Sequence, residues 1–429
     1  MTNRHNRSIV AQLTTVLVLT LILLLSGCLS TRESDFTPIP ISSTDSPRAQ
    51  DLKTFYNTLP VVHTDFFANT SPETFNAAFH SALGRIDSLS DIDFYYTLGT
   101  LAALAGDSHT AVGLTQEIVS QVYAIPVQIA RIAGNWCLSV TEASQADLLG
   151  AKILAINGIS MDVVVDKASR LFGHDNNTWL YNQIAQQLNL TSLYTYLGIA
   201  ENPSADVQFT IEPYGSTEAQ SITFKAVTVT QFYQLQLVSI QTNPPETASA
   251  KVPYRTLLLE QGKTLFIQYN ACISWDQLPI GDFIDETLGM VNNLSPEHII
   301  IDLRYNGGGN SQLFEPMINA LASLQKEKGF AIDVLIGQGT FSSALMNAVQ
   351  LNQRTDCRLV GTPTGGSVNH FGEIKNFTLP NSGISVQYST QRFIMDASYP
   401  AGSLQPELYV EKTITDIMYG VDTEVQAIL

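Results

Sequence analysis

The pattern of apolar and polar positions is strongest in the second half of the chain. Residues 299–303 read Ile-Ile-Ile-Asp-Leu, a β-branched run that predicts a strand buried on both faces, as in a parallel sheet. A helical pattern follows over about 313–325, and a second apolar run at 331–337 predicts a neighbouring buried strand. Helical spacing resumes from Ala344 onward. This part of the chain is therefore predicted to have an α/β fold.

The turn after the first strand, residues 306–309, reads Asn-Gly-Gly-Gly. Glycine tolerates positive φ and leaves the main-chain N–H groups uncovered. The helix that follows would place the positive end of its dipole beside these groups, which predicts a site that stabilises an anion. A phosphate site would need Gly-Lys-Ser/Thr, which is absent, and Gln312 breaks a Gly-x-Gly-x-x-Gly pattern. A tight turn without chemistry is the alternative interpretation.

The turn after the second strand places Ser342 at a strand-to-helix junction. Its hydroxyl would lie beside exposed N–H groups, as in the nucleophile elbow of α/β-hydrolases, although Gly-x-Ser-x-Gly is absent. The alternative is that Ser342 only caps the helix, which is the usual role of such a serine. The glycine turn on the neighbouring strand favours a nucleophile that faces an anion site.

Three motifs resemble the catalytic core of the tail-specific, or carboxy-terminal processing, serine proteases, a family that includes the tricorn core protease. They occur in the family's order at residues 302–309 (Asp-Leu-Arg-Tyr-Asn-Gly-Gly-Gly), 340–344 (Thr-Phe-Ser-Ser-Ala) and 360–366 (Val-Gly-Thr-Pro-Thr-Gly-Gly). The resemblance covers roughly residues 50–425 and is strongest from 264 to 380. It implies a crotonase-like catalytic fold.

The resemblance also implies roles for individual residues. Ser342 would be the nucleophile that attacks a scissile carbonyl. Main-chain N–H groups at Gly307, at Gly308 and in the nucleophile turn itself, at Ser342 and Ser343, would form the oxyanion hole.

Two branches of this family activate the serine differently. In one branch a lysine follows in a Gly-Lys-Gly motif; here residues 366–368 read Gly-Ser-Val, and Lys375 lies eight residues beyond the expected place. The tricorn-like branch uses a histidine beside a serine from an upstream segment, and Ser108-His109 matches that pair. The resemblance therefore implies His109 as general base, a role that suits an imidazole because its usual pKa lies near working pH. His370 is the rival base, and it lacks the serine neighbour.

The acid that would orient His109 is left open between two residues. Asp396 lies ten residues before Pro406-Glu407, a pair that resembles the family's Pro-Asp pair, and this position favours Asp396. Glu373 follows soon after the 360–366 motif. A solvated surface acid is the alternative interpretation of both.

Charge and the first 28 residues indicate the partners and the compartment. The chain has 429 residues and a net charge of −17, and so acidic a protein repels nucleic acid. Arg4 and Arg7 precede a mostly apolar run that closes with Leu-Ser-Gly-Cys. This resembles a bacterial lipoprotein signal, which implies that Cys28 is lipidated and anchors the protein on the extracytoplasmic face of a membrane. An uncleaved anchor helix is the alternative.

The sequence divides into five predicted segments. They are a signal peptide (1–27), a disordered tether (28–50), an N-terminal helical segment that ends in the His109 loop (51–115), a PDZ-like module with helices (116–205) and an α/β serine peptidase core (206–429). The PDZ-like prediction rests on residues 148–158, which resemble the closing part of a PDZ domain. Such a module either binds a peptide as an added strand or is purely structural.

Together these features predict a membrane-tethered serine-type peptidase that cleaves extracytoplasmic peptides or proteins through an acyl-enzyme. No metal or cofactor site is predicted. Cys137, Cys272 and Cys357 lie in apolar stretches and are predicted to be buried free thiols. The alternatives are a non-catalytic peptide- or ligand-binding lipoprotein on the same scaffold, and an esterase that uses the same residues.

Overall fold

The computed structural model describes residues 36–241 and 243–429. The predicted signal peptide, residues 1–27, and the predicted lipidation site Cys28 lie outside the described residues. Within the described part of the chain, no helix is both long enough and apolar enough to cross a bilayer. The account below concerns Pro40–Leu429, which form one unit.

The helices and strands are numbered in chain order. The helices are α1 (Pro47–Val62), α2 (Pro72–Leu83), α3 (Asp91–Ala103), α4 (Gln116–Gln121), α5 (Met161–Ser169), α6 (Asn177–Gln187), α7 (Thr191–Tyr196), α8 (Val229–Phe232), α9 (Ile280–Leu294), α10 (Glu315–Lys328), α11 (Ser343–Arg354), α12 (Ile414–Met418) and α13 (Thr423–Gln426). The strands are β1 (Ala111–Val112), β2 (Tyr123–Ala124), β3 (Gln128–Ile132), β4 (Asn135–Glu142), β5 (Lys152–Ile156), β6 (Ile159–Ser160), β7 (Val207–Glu212), β8 (Gln220–Phe224), β9 (Val227–Thr228), β10 (Leu237–Ser239), β11 (Tyr254–Leu259), β12 (Thr264–Tyr269), β13 (His298–Asp302), β14 (Ala331–Ile336), β15 (Cys357–Gly361), β16 (Asn369–Thr378), β17 (Ser385–Ile394) and β18 (Leu408–Tyr409).

A six-stranded sheet organises the second half of the chain, in the order β11-β12-β13-β14-β15-β18. β11 runs antiparallel to β12, and the other neighbours pair in parallel. Ile299 and Ile301 belong to one apolar cluster and Ile300 to another, so β13 is covered on both faces. Burial of each such side chain contributes about 1.5–3 kcal/mol. The predicted α/β fold is confirmed for this part of the chain.

Parallel pairing brings the carboxyl ends of β13 and β14 to the same edge of this sheet. The Asn-Gly-Gly-Gly turn follows β13 and the turn with Ser342 follows β14, so the two predicted halves of the site are neighbours. The helix predicted over about 313–325 begins as a 3-10 turn, Ser311–Phe314, and continues as α10. Pro316 lies in its first turn, where the N–H group that proline lacks would have no hydrogen-bond acceptor within the helix.

Helices α1 to α3 form the predicted N-terminal helical segment, and the loop after α3 carries His109. Helix α1 begins earlier than predicted, at Pro47, so its first turn lies inside the predicted 28–50 tether. The Ser46 side chain accepts the N–H of Ala49, and a proline at the first position is preorganised for a helix. These capping residues explain why a stretch rich in Ser and Pro starts a helix.

A seven-stranded antiparallel sheet lies between these helices and the six-stranded sheet in sequence. Its order is β10-β4-β5-β7-β8, with β3 on β4 and β6 on β5. Because β7, β8 and β10 belong to this sheet, it extends to Ser239, and the predicted boundary between residues 205 and 206 cuts through it. The pairing of β7 with β5 across helices α5 to α7 decides this, and no local pattern in the sequence shows it.

A three-stranded sheet, β1-β17-β16, connects the His109 loop to the second half of the chain. Ala111 at the start of β1 pairs with Gln387 on β17. The Gln387 side chain also donates to the main-chain oxygen of His109 at 2.8 Å. β16 pairs with β17 and carries His370. The upstream helical segment therefore packs closely against the downstream part, as the prediction for His109 requires.

A buried cluster of charges joins the end of β13 to the segment around α13. The guanidinium of Arg304 lies 2.9 Å from Asp302, 2.6 Å from Asp422 and 3.0 Å from Glu424. Lys412 adds a second cation, 3.3 Å from Glu424. Removing one partner from a buried ion pair costs about 3–5 kcal/mol because the other charge is left uncompensated. The cluster therefore holds the two segments together.

The cysteines of the described chain are free thiols. Cys137 and Cys272 are buried, which confirms the prediction for these two, whereas Cys357 is only half-buried. Burial raises the pKa of each thiol to about 11. All three are therefore protonated near neutral pH.

Candidate active site

The nucleophile turn, residues 337–343, is held in place by hydrogen bonds. Thr340 Oγ1 accepts the Gly337 N–H at 3.0 Å and donates to the Leu303 carbonyl at 2.8 Å. Ser342 ends this turn with φ of 51° and ψ of −123°, and its side chain makes no capping hydrogen bond to α11. A non-glycine residue in such a region costs about 1–3 kcal/mol. The capping interpretation of Ser342 therefore does not apply, because its hydroxyl is not used to start the helix.

The glycine turn after β13 packs directly on the nucleophile turn. Gly308 has φ of +109°, and a Cβ atom there would lie 2.8 Å from Cβ of Ser342, so only glycine fits at this contact. The N–H of Gly308 already donates to Asn306 Oδ1 at 2.9 Å. Within residues 36–241 and 243–429, the N–H groups of Gly307 and Ser343 make no hydrogen bond. These two predicted donors are free to bind an oxyanion, and the Gly308 donor is already in use.

His109 lies beside the nucleophile turn, with only 8% of the residue exposed. Its ring stacks on Phe341, the residue before Ser342, with centroids 4.6 Å apart and planes inclined by 23°. By strict hydrogen-bond geometry neither ring nitrogen of His109 has a partner in the described chain, although the main chain of Phe371 opposes the lowering of its pKa. The structure therefore brings the predicted base to Phe341, the residue next to the predicted nucleophile.

Five rings form a continuous row through this site, which we call the ring stack. Trp179 stacks on Phe341 at 3.7 Å and 7°, and Phe341 stacks on His109. His109 in turn stacks on His370 at 5.7 Å and 21°, and His370 on Phe393 at 5.4 Å and 30°. The ring stack excludes water from the imidazoles, because stacked rings occupy the space that solvent would need.

The protonation states follow from this burial. Burial lowers the pKa of His109 to about 4, against the opposing attraction of Asp107, and burial also lowers the pKa of His370. Burial alone would raise the pKa of Asp107, but hydrogen bonds, first that from His63, lower it to about 2. Near neutral pH the imidazoles of His109 and His370 are therefore neutral, and Asp107 is ionised. A neutral imidazole is the form that accepts a proton.

Asp107 anchors the loop that carries His109. Its Oδ2 accepts hydrogen bonds from Thr110 Oγ1 at 2.6 Å, from Ser389 Oγ at 2.6 Å and from His63 Nε2 at 3.2 Å. The Nδ1 atom of His63 accepts a main-chain N–H, so Nε2 carries the proton that is donated. Oδ1 of Asp107 accepts the main-chain N–H of His109 at 2.8 Å. The carboxylate therefore holds the backbone at His109 and the side chain of the next residue, Thr110.

The structure does not bring the two acids predicted to orient His109 to its ring. Asp396 Oδ1 accepts the N–H and the O–H of Ser398 at 2.8 and 2.7 Å. Glu373 is exposed on β16, at φ of 53°, where the pairing with β17 skips it. Among the described residues, Asp107 is the carboxylate within ion-pair distance of the ring, with Oδ1 3.9 Å from Nδ1 of His109. Neither predicted acid lies within ion-pair distance of the ring: hydrogen bonds with Ser398 hold Asp396 in a local turn, and Asp107 lies within that distance instead.

Ser108 and His370 also belong to this site. Ser108 Oγ donates to Asp175 Oδ1 at 2.7 Å. His370 Nδ1 donates to the main-chain oxygen of Ser367 at 2.8 Å, and His370 follows His109 in the ring stack. His109 is the imidazole that contacts the residue before the nucleophile, so the geometry favours it over His370 as base.

Sequence reasoning missed three residues that build this site. Asp107 lies two positions before His109 in Gly-Asp-Ser-His-Thr, and this adjacency is a signal that could have identified it. Asp175 and Trp179 lie at the start of α6, where no motif marks them. Within the described residues, no group of three potential metal ligands lies together.

Comparison with solved structures places this geometry in a known fold. Mature CPAF has a TM-score of 0.60 at 14% identity, over 89% of this chain and 95% of that chain. CPAF complexed with lactacystin gives 0.58 at 14% identity, over 87% and 95%. The photosystem II D1 C-terminal processing protease covers 89% of this chain and 99% of that chain at 11% identity, with a TM-score of 0.41.

The sequence comparisons give no further match. No family model matches the chain, and no curated protein matches it. At 14% identity, the similarity to CPAF shows the fold. The chain therefore has the fold of mature CPAF.

Proposed function

We propose that this protein is a serine-type peptidase with Ser342 as nucleophile and His109 as general base. One observation carries the proposal: an uncapped serine on a strained turn lies against a glycine turn, and the residue before it, Phe341, stacks on the buried imidazole of His109. A nucleophile next to a base and next to free main-chain donors is the arrangement that acyl transfer needs. The protease fold of the structural neighbours supports the same reaction class.

In the proposed reaction, Ser342 Oγ attacks the scissile carbonyl while His109 takes its proton. His109 then gives that proton to the leaving amine, and water, activated by the same imidazole, clears the acyl-enzyme. The Asp107 carboxylate, 3.9 Å from Nδ1 of His109, attracts the imidazolium that forms. General-base catalysis of this kind contributes about 10²–10⁴-fold.

The oxyanion of the tetrahedral intermediate is proposed to bind the N–H groups of Gly307 and Ser343. Both donors are unoccupied in the described chain, whereas the N–H of Gly308 serves Asn306. Gly308 has a steric role instead: because it has no side chain, the glycine turn with the Gly307 N–H can pack close to Ser342. One oxyanion donor is worth about 3 kcal/mol in the transition state.

We further propose that the core is crotonase-like and that the seven-stranded sheet is a PDZ-like module. A groove of about 360 Å³ lies between β3 and α6 and reaches Gln338 in the nucleophile turn, which supports a module beside the site. Lipidation of Cys28, which rests on the pattern of residues 1–28, would tether the peptidase to a membrane and give it extracytoplasmic peptides or proteins as substrates.

A fluorophosphonate probe tests the nucleophile, because it reacts with activated serines whatever the natural substrate is. The purified full-length protein is treated with the probe, and the labelled peptide is identified by mass spectrometry. We expect labelling at Ser342, its loss in Ser342→Ala, and a rate about 10²-fold lower in His109→Ala. Ser323→Ala, a surface serine on α10, serves as the matched control. An unlabelled wild-type protein would leave the non-catalytic binding lipoprotein as the better account.

A substrate screen separates a peptidase from an esterase. A mixed peptide library and a panel of simple aryl esters are incubated with wild-type protein and with Ser342→Ala. We expect new peptide termini that depend on Ser342. Hydrolysis of the esters alone, with every peptide intact, would support the esterase alternative.

A further inference from the structure

The segment that opens helix α6 contacts both imidazole loops. Asp175 Oδ1 accepts the hydroxyl of Ser108 at 2.7 Å and the hydroxyl of Ser367 at 2.8 Å. Ser108 precedes His109, and the main-chain oxygen of Ser367 accepts Nδ1–H of His370 at 2.8 Å. One carboxylate oxygen therefore joins the two loops that carry the stacked imidazoles.

Asn176 strengthens the same junction. Its Nδ2 atom donates to the Gly365 carbonyl and to Ser367 Oγ, both at 2.9 Å, and to Asp175 Oδ1 at 3.0 Å. Its Oδ1 atom accepts the N–H of Trp179 at 2.9 Å and so caps α6. Since the Trp179 ring stacks on Phe341, the start of α6 contacts the ring stack at its other end as well.

The His109 ring needs such support because neither of its nitrogen atoms makes a hydrogen bond of good geometry within the described chain. Stacking, the backbone and a contact with the main chain of Phe371 fix the direction of the ring. Two paths from Asp175 reach it: one through Ser108, and one through Ser367 and His370. Placement matters here, since a displacement of about 1 Å in a catalytic group can cost about 10²-fold in rate.

Asp175 also places a buried carboxyl group beside the two imidazole loops. Burial raises the pKa of this carboxyl, and the hydroxyls of Ser108 and Ser367 oppose that effect by donating to it. Hydroxyl donors favour the ionised form, which accepts hydrogen bonds better than the neutral acid. The two serines and the carboxylate therefore stabilise one another.

We propose that Asp175 is a positioning residue for the peptidase reaction, which holds the His109 and His370 loops in register through Ser108 and Ser367. This inference rests on the proposed function, in which Ser342 is the nucleophile and His109 the base. Asp175 does not touch the reacting atoms. It acts by keeping the His109 ring in the orientation that meets Ser342.

Labelling kinetics of the full-length protein test this role. The fluorophosphonate rate at Ser342 is separated into the probe's binding constant and its maximal rate constant. We expect Asp175→Ala to lower the maximal rate constant by about 10²-fold and to change probe binding by no more than about twofold. Asp175→Asn keeps an oxygen that accepts the serine hydroxyls, so it should recover about half of the loss on a logarithmic scale.

A matched control separates positioning from general stability. Asn157→Ala removes two side-chain hydrogen bonds in the seven-stranded sheet, to Ile199 and from Gln208, and contacts neither imidazole loop. We expect it to lower the melting temperature at least as much as Asp175→Ala while the labelling rate stays within about twofold of wild type. Equal labelling rates in wild type and Asp175→Ala would overturn the positioning role and leave the proposed function standing.

A second measurement reads the ring itself and does not depend on labelling. The protein is labelled with ¹³C at histidine Cε1, and the His109 signal, assigned with His109→Ala, is titrated by NMR. In wild type we expect a pKa of about 4, and in Asp175→Ala a higher value, because a loosened loop admits water to the ring. An unchanged His109 titration in Asp175→Ala would overturn the inference even if Ser342 proves unreactive.

Discussion

Replacing Phe341 by alanine should raise the pKa of His109 and so move the pH at which Ser342 becomes reactive. Burial lowers the pKa of His109 from 6.5 to about 4. At 1.36 kcal/mol per unit, this difference favours the neutral imidazole by about 3 kcal/mol. Phe341 is the nearer of the two rings that stack on His109, at 4.6 Å against 5.7 Å for His370. Removing it should therefore recover roughly one pKa unit.

The assay is the second-order rate of fluorophosphonate labelling at Ser342, measured from pH 3 to pH 8 at constant ionic strength. The rate should fall on the acid side as His109 gains a proton, with a midpoint near pH 4 in wild type. In Phe341→Ala this midpoint should lie roughly one pH unit higher, because water then reaches the His109 imidazole and the imidazole binds a proton more readily. Circular dichroism confirms that the variant is folded at each pH.

Phe393→Ala is the matched control, since Phe393 stacks on His370 and is not a neighbour of His109 in the ring stack. This variant also removes one phenyl ring from the ring stack, but that ring does not stack on His109. It should therefore leave the pH midpoint of labelling within roughly 0.3 units of the wild-type value. A wild-type midpoint near 6.5 would refute the claim that burial controls His109. Equal midpoints in Phe341→Ala and Phe393→Ala would refute the part assigned to Phe341.

The other predictions concern the glycine turn and the acid. Gly308→Ala should reduce labelling of Ser342 by at least about 10²-fold, since the new Cβ would lie 2.8 Å from Cβ of Ser342. Gly383→Ala is the control: Gly383 has φ of +70° and nothing lies within 4 Å of the new Cβ, so this variant has similar backbone strain without the clash and should be labelled at the normal rate. Asp107→Asn should move the acid midpoint of labelling still lower, because the Asp107 charge raises the pKa of His109; a midpoint that rises would contradict this. The pKa of Asp107 is about 2 in the folded state, against an ordinary value of 3.8. The ionised carboxylate therefore contributes fully to the free energy of unfolding above pH 3.8, and this contribution is lost as the pH falls through 2. Chemical unfolding should show a loss of about 2 kcal/mol over this range in wild type and a smaller loss in Asp107→Asn.

The part of the site on the six-stranded sheet could be predicted from local patterns. The β-branched run and the apolar run of the second strand lie in β13 and β14, each within one residue of the predicted ends. Burial on both faces demands a continuous apolar run, and a close approach to Ser342 demands glycine at position 308. Requirements of this local kind can be recognised from a few consecutive residues.

The partners of His109 could not be predicted in the same way. The hydrogen bond from Ser389 to Asp107 spans 282 positions, and the pairing of β1 with β17 that makes it possible is only two residues long on the β1 side. The predictions of Asp396 and Glu373 follow from position along the chain, whereas tertiary packing places Asp107 beside the His109 ring. The predictions for Cys28 and for the membrane anchor lie outside the described residues and stay predictions.

The charge cluster around Arg304 has a consequence for the order of events during synthesis. The Arg304 guanidinium lies two residues before the glycine turn, and its carboxylate partner Asp422 follows 118 residues later. Before that stretch has been synthesised, Asp302 is the one of the cluster's three carboxylates that is available to pair with Arg304. The buried charge of Arg304 gains all its carboxylate partners only once residue 424 has been made, so we expect the glycine turn beside it to reach its final shape late in synthesis.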